Sequence, residues 1–270
     1  MKIQVGRFDF TEVWDGVLYK KLADYPRLNE WEKRCLAEFV CYERANGRLC
    51  PLMCEDRALK NEIEDALAAP EKLWQVPPPE KIQECTACRQ GGCLTRWVCH
   101  TASPENAKSI LIGGMLLSAV RARGKAAEEL MLEKRNAAHD PADYFHYVML
   151  SWGNCQAGDR LVMERKLGRF PEERDLSDEF MPGVRFYFLY DRLSKHPDAV
   201  FDGVLPMKIR DGIVLKDWVE WIVIPGYLAG EMMPCIPEEL WPRLKIVDHQ
   251  GLDIWAWSEK VYQTIEGGAI

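Results

Sequence analysis

Residues 97–114, WVCHTASPENAKSILIGG, constrain the fold more than any other part of the chain. An apolar run ends at His100 and Thr101, as expected of a buried strand. The Ser-Pro-Glu sequence at 103–105 supplies a helix N-cap, a proline at the first helical position and an acid in the first turn. Two glycines at 113–114 can end the helix, because glycine readily adopts the left-handed conformation. The stretch therefore predicts a strand followed directly by a helix.

Short apolar runs and helix signals continue to alternate beyond this stretch. We predict a charged helix at about 125–138 and a terminal helix at 252–265. The mixed order and short connections favour an α+β fold over a regular doubly wound sheet. The predicted strands are 95–100, 115–118, 145–152, 184–190, 200–206 and 219–224.

The first 80 residues are predicted to form a helical region. Asn29 can cap a helix whose apolar positions recur at helical spacing, and a second helix is predicted at about 55–69. The three prolines at 77–79 cannot continue a helix and favour a stiff, extended spacer. We therefore predict three contiguous parts: a helical N-terminal region at 1–80, a central domain at 81–230, and a C-terminal extension at 231–270 that packs on the central domain.

Composition indicates an ordinary globular protein without a membrane segment. The chain has 270 residues and a net charge of −7, from 35 basic and 42 acidic residues. This balance argues against a surface that coats nucleic acid, although basic residues at 121–135 could form a local basic groove. No apolar run approaches the ~20 residues of a membrane helix, and charge interrupts the first ten residues, MKIQVGRFDF. We therefore expect a cytoplasmic protein.

The cysteines suggest either a zinc site or buried thiols. Six of the ten lie between residues 50 and 99, and the run from Cys85 reads C-x2-C-x4-C-x5-C. Cys85, Cys88 and Cys93 are candidate ligands of a structural zinc ion, since a C-x2-C pair is a good half-site. Cys99 would point away from His100 in a strand, which makes its joint use with Cys93 awkward. The alternative is a set of free thiols that pack as small apolar side chains.

Glu220 stands at the start of a second notable stretch, DWVEWIVIP at 217–225. The apolar run after it predicts a buried strand that Pro225 closes. An acid at a strand end is often a solvated boundary residue. Here its neighbours are Trp218, Val219 and Trp221, and a carboxylate among them either pairs or has a perturbed protonation, as at functional sites.

A third stretch, at 144–160, ends a predicted strand in Ser151, Trp152, Gly153 and Asn154. A hydroxyl, an indole, a glycine that permits close backbone approach and an amide could together hold a planar heterocycle. The alternative is a core strand with an ordinary Gly-Asn turn.

In their order and spacing, the three stretches resemble the ADP-ribosyltransferases, and the layout is nearest to the DarT-type enzymes that modify nucleic acids. The resemblance covers roughly residues 94–228. The first motif comprises His100, Thr101, the helix to Leu111, Gly114 and Leu117-Ser118. Either Tyr147 or Ser151 stands at the second motif, and Glu220 before Ile222–Pro225 stands at the third.

The resemblance implies an ADP-ribosyltransferase-like split sheet and transfer of ADP-ribose from NAD, as co-substrate, to nucleic acid or protein, with release of nicotinamide. Glu220 and His100 would be the catalytic pair. Glu220 would stabilise the oxocarbenium-like transition state, while His100 and Thr101 would bind ribose hydroxyls. Arg121 or Arg123 would contact the pyrophosphate. The remaining residues that would bind NAD are Ser118, Ser151, Trp152 and Asn154.

One departure from the family pattern bears on the acceptor. Trp218 occupies the position, two before Glu220, where arginine-modifying members have Glu or Gln. Modification of arginine is therefore not expected, whereas a regulatory or antitoxin partner is compatible with the resemblance. Two other functions remain open from the sequence: a zinc-stabilised binding module without catalysis, and an NAD hydrolase that uses water as the acceptor.

Overall fold

The computed structural model describes residues 1–8, 11–75, 96–133 and 141–267, which adopt an α+β fold. The predicted class is therefore confirmed. The strands are β1 (Lys2–Gly6), β2 (Glu12–Trp14), β3 (Val17–Lys21), β4 (Leu52–Cys54), β5 (Trp97–Ala102), β6 (Met115–Leu117), β7 (Tyr147–Trp152), β8 (Val184–Leu189), β9 (Ala199–Val200), β10 (Met207–Arg210), β11 (Gly212–Val214), β12 (Trp221–Pro225) and β13 (Leu244–Val247).

Helices connect most of these strands, together with short 3-10 turns. The α-helices are α1 (Glu30–Ala45), α2 (Arg57–Leu67), α3 (Pro104–Gly113), α4 (Ala119–Arg123), α5 (Ala127–Met131), α6 (Ala157–Leu167), α7 (Glu173–Leu176), α8 (Tyr190–Leu193), α9 (Leu215–Trp218), α10 (Ala229–Met232) and α11 (Ile254–Glu266). Among the described helices, none has the length and apolar character needed to span a membrane.

The chain divides into two compact units, each assembled from segments that are far apart in the sequence. The first unit comprises Met1–Lys81, Ser118–Tyr147 and Val200–Arg210. The second comprises Ile82–Leu117, Val148–Ala199 and Asp211–Ile270. This division differs from the three contiguous parts that we predicted, because composition shifts along a chain do not reveal which distant segments pack together.

The first unit contains a sheet of four strands in the order β2-β3-β1-β4. β1 is parallel to β3 and β4, and β2 is antiparallel to β3. The predicted helical character of residues 1–80 is therefore wrong for the first strands, in which buried and exposed side chains alternate with the period of two typical of a strand. The core of this unit is Ile3, Val5, Leu18, Leu22, Leu36, Phe39, Val40, Leu59 and Ile63.

The helices predicted in this region are confirmed. Asn29 and Glu32 form a reciprocal capping box at the start of α1, with Glu32 N donating to Asn29 Oδ1 at 2.8 Å and Asn29 N donating to Glu32 Oε2 at 3.1 Å. Asp56 caps α2 by accepting a hydrogen bond from Leu59 N at 2.8 Å. Of the helix predicted at 125–138, only α5, Ala127–Met131, is helical; Leu132 and Glu133 are not, and residues 134–140 lie outside the described part.

The strand predicted at 200–206 is also wrong. Strand structure occurs on either side of this range, at Ala199–Val200 and Met207–Arg210. Between them Gly203 adopts a positive φ of 71°, and a Cβ atom at this position would lie 1.9 Å from the carbonyl oxygen of Cys35. The chain therefore turns here because only glycine permits so close a backbone contact with α1.

Five neighbouring strands of the second unit run in the order β13-β12-β8-β5-β7. β5 and β12 are antiparallel to the central β8, and β13 is parallel to β12. The face that carries Cys99 and Tyr187 is apolar and packs against α6 and α11. Its core residues are Trp97, Cys99, Met163, Phe180, Tyr187, Val223, Val247, Ile254, Trp257, Val261, Tyr262 and Ile265.

A fully buried polar network crosses this face. Arg185 pairs with Asp159 of α6 and donates to Tyr187 Oη at 3.0 Å and to Ser258 Oγ at 2.5 Å. Asp159 also accepts from Gly183 N at 3.1 Å. Because a buried guanidinium needs a carboxylate and further acceptors, the network fixes α6 and α11 against β8.

Candidate functional site

β5 and α3 join as the sequence predicts. Ser103 caps α3 by accepting from Asn106 N at 3.4 Å, and Gly114 ends it with φ of 65°. His100 therefore lies near the end of β5, and three residues separate it from Pro104, the first residue of α3.

His100 has a defined tautomer. Its Nδ1 lies 3.1 Å from the carbonyl oxygen of Met149. Because a carbonyl only accepts, Nδ1 carries the proton and Nε2 keeps its lone pair when the ring is neutral. Burial lowers the pKa of His100, so the imidazole is neutral at pH 7.

This bond also has a structural role. Backbone pairing between β5 and β7 is registered at Val98–Trp152 and Cys99–Ser151. The His100 ring reaches Met149 on β7 just beyond these pairs, so it extends the connection between the two strands. The Nδ1 atom of His100 therefore links β5 to β7, whereas Nε2 is the atom that could bind a ligand.

Glu220 immediately precedes β12. Its backbone N–H donates to Tyr187 O at 2.9 Å, and its Oε1 accepts from Arg192 Nη1 at 2.6 Å. Arg192 also donates to the carbonyl oxygen of Asp217. The side chains of Arg192 and Glu220 are 48% and 29% exposed, so this ion pair lies at the surface.

His100 and Glu220 lie on opposite sides of β8. His100 is opposite Phe186 on β8, and Phe186 is in turn opposite Ile222 on β12. Glu220 comes just before β12, and its N–H bonds to the same Tyr187 that is paired with Trp221, so strand alternation does not fix the direction of its side chain. From ordinary strand geometry, the two Cα atoms are about 10 Å apart across the strands and about 7 Å along them. The face between them is apolar and buried at Phe186 and Ile222.

Glu220 belongs to a group of charged and aromatic side chains, which we call the Glu220 cluster: Glu220, Arg192, Trp218 and His196. The Arg192 guanidinium lies 5.6 Å from the Trp218 ring centroid, and the His196 ring lies 4.9 Å from it. The sequence analysis identified Glu220 as a candidate site residue beside Trp218, but it did not identify Arg192 or His196. These two lie in and after the short α8, and no local motif connects them with residue 220.

A second aromatic pair consists of Trp152 and Tyr190. Trp152 ends β7, and its ring centroid is 5.3 Å from that of Tyr190, at the start of α8. Trp152 pairs with Val98, which lies on the same face as His100. Of Ser151 and Trp152, which end this predicted strand, Trp152 is therefore the one on the His100 face.

Thr101 does not accompany His100. It lies on the opposite face, where α6 packs. A Cβ atom on Gly158 would lie 2.4 Å from Thr101 Oγ1, and one on Gly183 would lie 3.0 Å from Thr101 Cγ2. Successive residues of a strand point to opposite faces, so the prediction that both His100 and Thr101 bind one sugar is wrong. Thr101 packs against glycines instead.

Ser151 is also on the face opposite His100, because it pairs with Cys99, and its hydroxyl donates to Cys99 O at 3.3 Å. The prediction that Ser151 binds NAD together with His100 is therefore wrong. Asn154 lies in the turn after β7, where its carbonyl oxygen accepts from Gln156 Nε2 at 3.0 Å. The role of Asn154 as an NAD ligand stays a prediction.

The other predicted NAD ligands belong to the first unit. Ser118 is buried and caps α4 through a hydrogen bond from Arg121 N at 3.4 Å, and its role as an NAD ligand stays a prediction. Arg123 pairs with Glu133, with Nη1 2.7 Å from Oε2. Arg121 is exposed.

Tyr147, the alternative to Ser151, contributes to a buried group in the first unit that the sequence did not indicate. We call it the Lys208 cluster: Lys208, Asp202, Tyr42, Tyr144 and Tyr147. Lys208 Nζ lies 3.0 Å from Asp202 Oδ2 and 3.7, 4.3 and 4.6 Å from the ring centroids of Tyr42, Tyr144 and Tyr147, respectively. Burial lowers the pKa of Lys208, and Asp202 opposes this effect. In the sequence, Lys208 is a lysine between two apolar residues of a strand. This pattern is common at protein surfaces, so it does not indicate that Lys208 is buried.

The predicted zinc ligands Cys85, Cys88 and Cys93 lie outside the described residues. Within the described ranges, no group of three or more His, Cys, Asp or Glu side chains could hold a metal ion. Cys99 is a buried thiol whose pKa burial raises to about 12. Cys50 is half-buried, and burial raises its pKa to about 11.

A cavity of about 570 Å³ is present elsewhere in the second unit. Its walls are formed by residues 177–181 and 249–253 with Ala256. None of the predicted site residues lines it. His100 and Glu220 therefore lie outside this cavity.

Comparison with protein-family models, with curated proteins and with solved structures found no match.

Proposed function

We propose that the protein is an NAD-dependent ADP-ribosyltransferase that releases nicotinamide. The proposal is supported by one observation above all: a neutral imidazole, His100 on β5, and a carboxylate, Glu220 just before β12, come from the two strands that border β8. On the other side of β5, the Trp152 ring is tilted at 42° to the Tyr190 ring, with centroids 5.3 Å apart.

The chemistry requires a carboxylate near the sugar. Cleavage of the bond between nicotinamide and ribose develops positive charge on the ribose, and a fixed negative charge stabilises that transition state. We assign this role to Glu220, which would also accept a hydrogen bond from a ribose hydroxyl. The attacking hydroxyl or amine of the acceptor would lose its proton to the same carboxylate.

His100 would position the substrate. Because Nδ1 is engaged by Met149, only Nε2 can accept a hydrogen bond from a ribose hydroxyl. Trp152 would offer an aromatic surface to a planar ring of the dinucleotide. Neither contact requires His100 to transfer a proton.

The acceptor that we propose is a macromolecule, either nucleic acid or protein. If water were the acceptor instead, the protein would be an NAD hydrolase. We place its action in the cytoplasm. In support, the cysteines of the described segments, among them Cys35, Cys99 and Cys155, are free, as is usual in a reducing compartment.

The test is nicotinamide release from NAD by purified protein, with and without total cell lysate as a source of acceptor. We expect Glu220→Gln to lower the rate by about 10²-fold or more, because the amide has no charge to stabilise the transition state. Asp217→Asn is the matched control, since it removes an exposed carboxylate three residues away and should leave the rate unchanged.

Two results would count against the proposal. Wild-type protein that releases no nicotinamide under either condition would exclude the activity. A Glu220→Gln variant as fast as wild type would leave the activity standing and remove Glu220 from it.

A further inference from the structure

We propose that Arg192 is the phosphate-binding residue of this site, and that in the absence of nucleotide it holds the Glu220 carboxylate until a phosphate displaces it. This inference rests on the proposed function. It replaces Arg121 and Arg123, which the sequence suggested for the pyrophosphate, with a residue that contacts Glu220 directly.

The geometry of Arg192 suits an exchange of anions. One arm of the guanidinium donates to Glu220 and the other to the carbonyl oxygen of Asp217, while its plane lies near the Trp218 ring. These contacts hold the planar donor fork in one place. A guanidinium fixed in this way can transfer the hydrogen bond of Nη1 from the carboxylate to a phosphate oxygen while Nη2 keeps its bond to the Asp217 carbonyl oxygen.

The pair with Glu220 is weak enough to be exchanged. Both side chains are partly exposed, at 48% and 29%, and exposed ion pairs stabilise proteins only slightly. A phosphate group offers more acceptor oxygens and as much negative charge as the carboxylate. A nucleotide phosphate can therefore take over Arg192 without a large loss elsewhere.

The position of Arg192 also matches the covalent structure of the substrate. In NAD the phosphate is attached to the same ribose whose bond to nicotinamide is broken. If Glu220 contacts that ribose, then the phosphate is within a few bonds of it, where Arg192 lies. Phosphate binding would release the carboxylate at the moment when the ribose needs it.

This arrangement defines the substrate class as a nicotinamide nucleotide that carries a phosphate on the ribose. Nicotinamide riboside, which has no phosphate, would find Glu220 still paired with Arg192. It should therefore be a poor substrate of the wild-type protein, beyond the loss of binding contacts made by the rest of NAD.

The experiment compares Arg192→Gln and Arg192→Lys with wild type, and measures nicotinamide release against concentration for NAD and for nicotinamide riboside. With NAD we expect Arg192→Gln to raise KM by about 10-fold or more, because a charge-assisted phosphate contact is lost, and kcat to change little. With nicotinamide riboside we expect release to be unchanged or faster, because Glu220 is free. Arg192→Lys should give an intermediate KM, since lysine keeps the charge but not the fork.

Lys195→Gln is the control, since it removes an exposed cation from the segment after α8. It should behave as wild type. A wild-type KM for NAD in Arg192→Gln would overturn the inference, and so would an equal loss of release from both substrates, which would indicate a structural role. Absence of nicotinamide release from wild type with either substrate would instead be a failure of the proposed function.

Discussion

The Lys208 cluster and the Glu220 cluster contain the same kinds of groups in different surroundings. Each places a cation next to a carboxylate and close to an aromatic ring. In the first, Lys208 and Asp202 are 0% and 2% exposed, and three tyrosine rings surround the ammonium. In the second, Arg192 and Glu220 are partly open to solvent.

The difference in burial decides what each cluster can do. A buried pair cannot lose one member without leaving an uncompensated charge in a medium of low polarity. An exposed pair can, because water solvates whichever partner is released. The Lys208 cluster is therefore suited to holding the first unit together, whereas the Glu220 cluster can exchange its partners for those of a ligand.

The largest effect on stability is expected from Lys208→Met. This variant keeps the side chain long and apolar but leaves the buried Asp202 carboxylate without its cation. We expect the free energy of unfolding to fall by about 3–5 kcal/mol, as for other broken buried pairs. Urea unfolding followed by circular dichroism measures the change.

The double variant Lys208→Met with Asp202→Asn provides the control, because it removes both charges. It should recover part of the lost stability. If Lys208→Met unfolds within about 1 kcal/mol of wild type, the value typical of exposed pairs, then the two clusters do not differ as we claim.

A smaller effect is expected from His100, and it depends on pH. The folded pKa lies below the 6.5 of an unfolded histidine, so between these values the unfolded chain binds a proton that the folded chain does not. Stability is therefore complete above pH 6.5 and is lost as the pH falls from 6.5 toward the folded pKa, at no more than about 1.4 kcal/mol per pH unit.

His100→Gln should remove this part of the pH dependence, as measured by urea unfolding at pH 7.5 and 5.5. His249, whose pKa burial also lowers, will keep its own share in both proteins. An identical loss of stability in wild type and His100→Gln would show that the imidazole is free to charge in the folded state, as an open ligand site would allow.

The smallest effect is expected from Arg192→Gln on stability. Because the Arg192–Glu220 pair is exposed, the free energy of unfolding should change by about 1 kcal/mol or less. A fall of several kcal/mol, close to that of Lys208→Met, would make the Glu220 cluster a structural element and would leave its proposed exchange of partners without support. The same urea experiment measures it.

Local signals predicted several elements of the fold correctly. The strand and helix at 97–114, the helix capped by Asn29 and the terminal helix at Ile254–Glu266 all depend on caps, glycines and spacing within a few residues. The first sheet was missed because its strands are three to five residues long. Such short strands become stable only through pairing with partners elsewhere in the chain.

The candidate site was predicted in part. His100 and Trp152 share a face, and this follows from strand alternation once the pairing is known, whereas Glu220 lies just before β12, where alternation does not apply. Thr101 and Ser151 were assigned to the wrong face because the sequence places them next to His100 and Trp152. Arg192 could not be predicted, since its contact with Glu220 spans 28 residues without a motif.

Taken alone, the sequence determined the α+β class and the local strand-to-helix unit that carries His100. It also singled out a glutamate at the entrance of a buried strand. These features depend on interactions between residues close in the chain. The tertiary structure alone decided that Thr101 packs inward, that Arg192 pairs with Glu220 and that Lys208 is enclosed by tyrosines. Burial and partner choice depend on which distant segments pack together, and no local pattern specifies that.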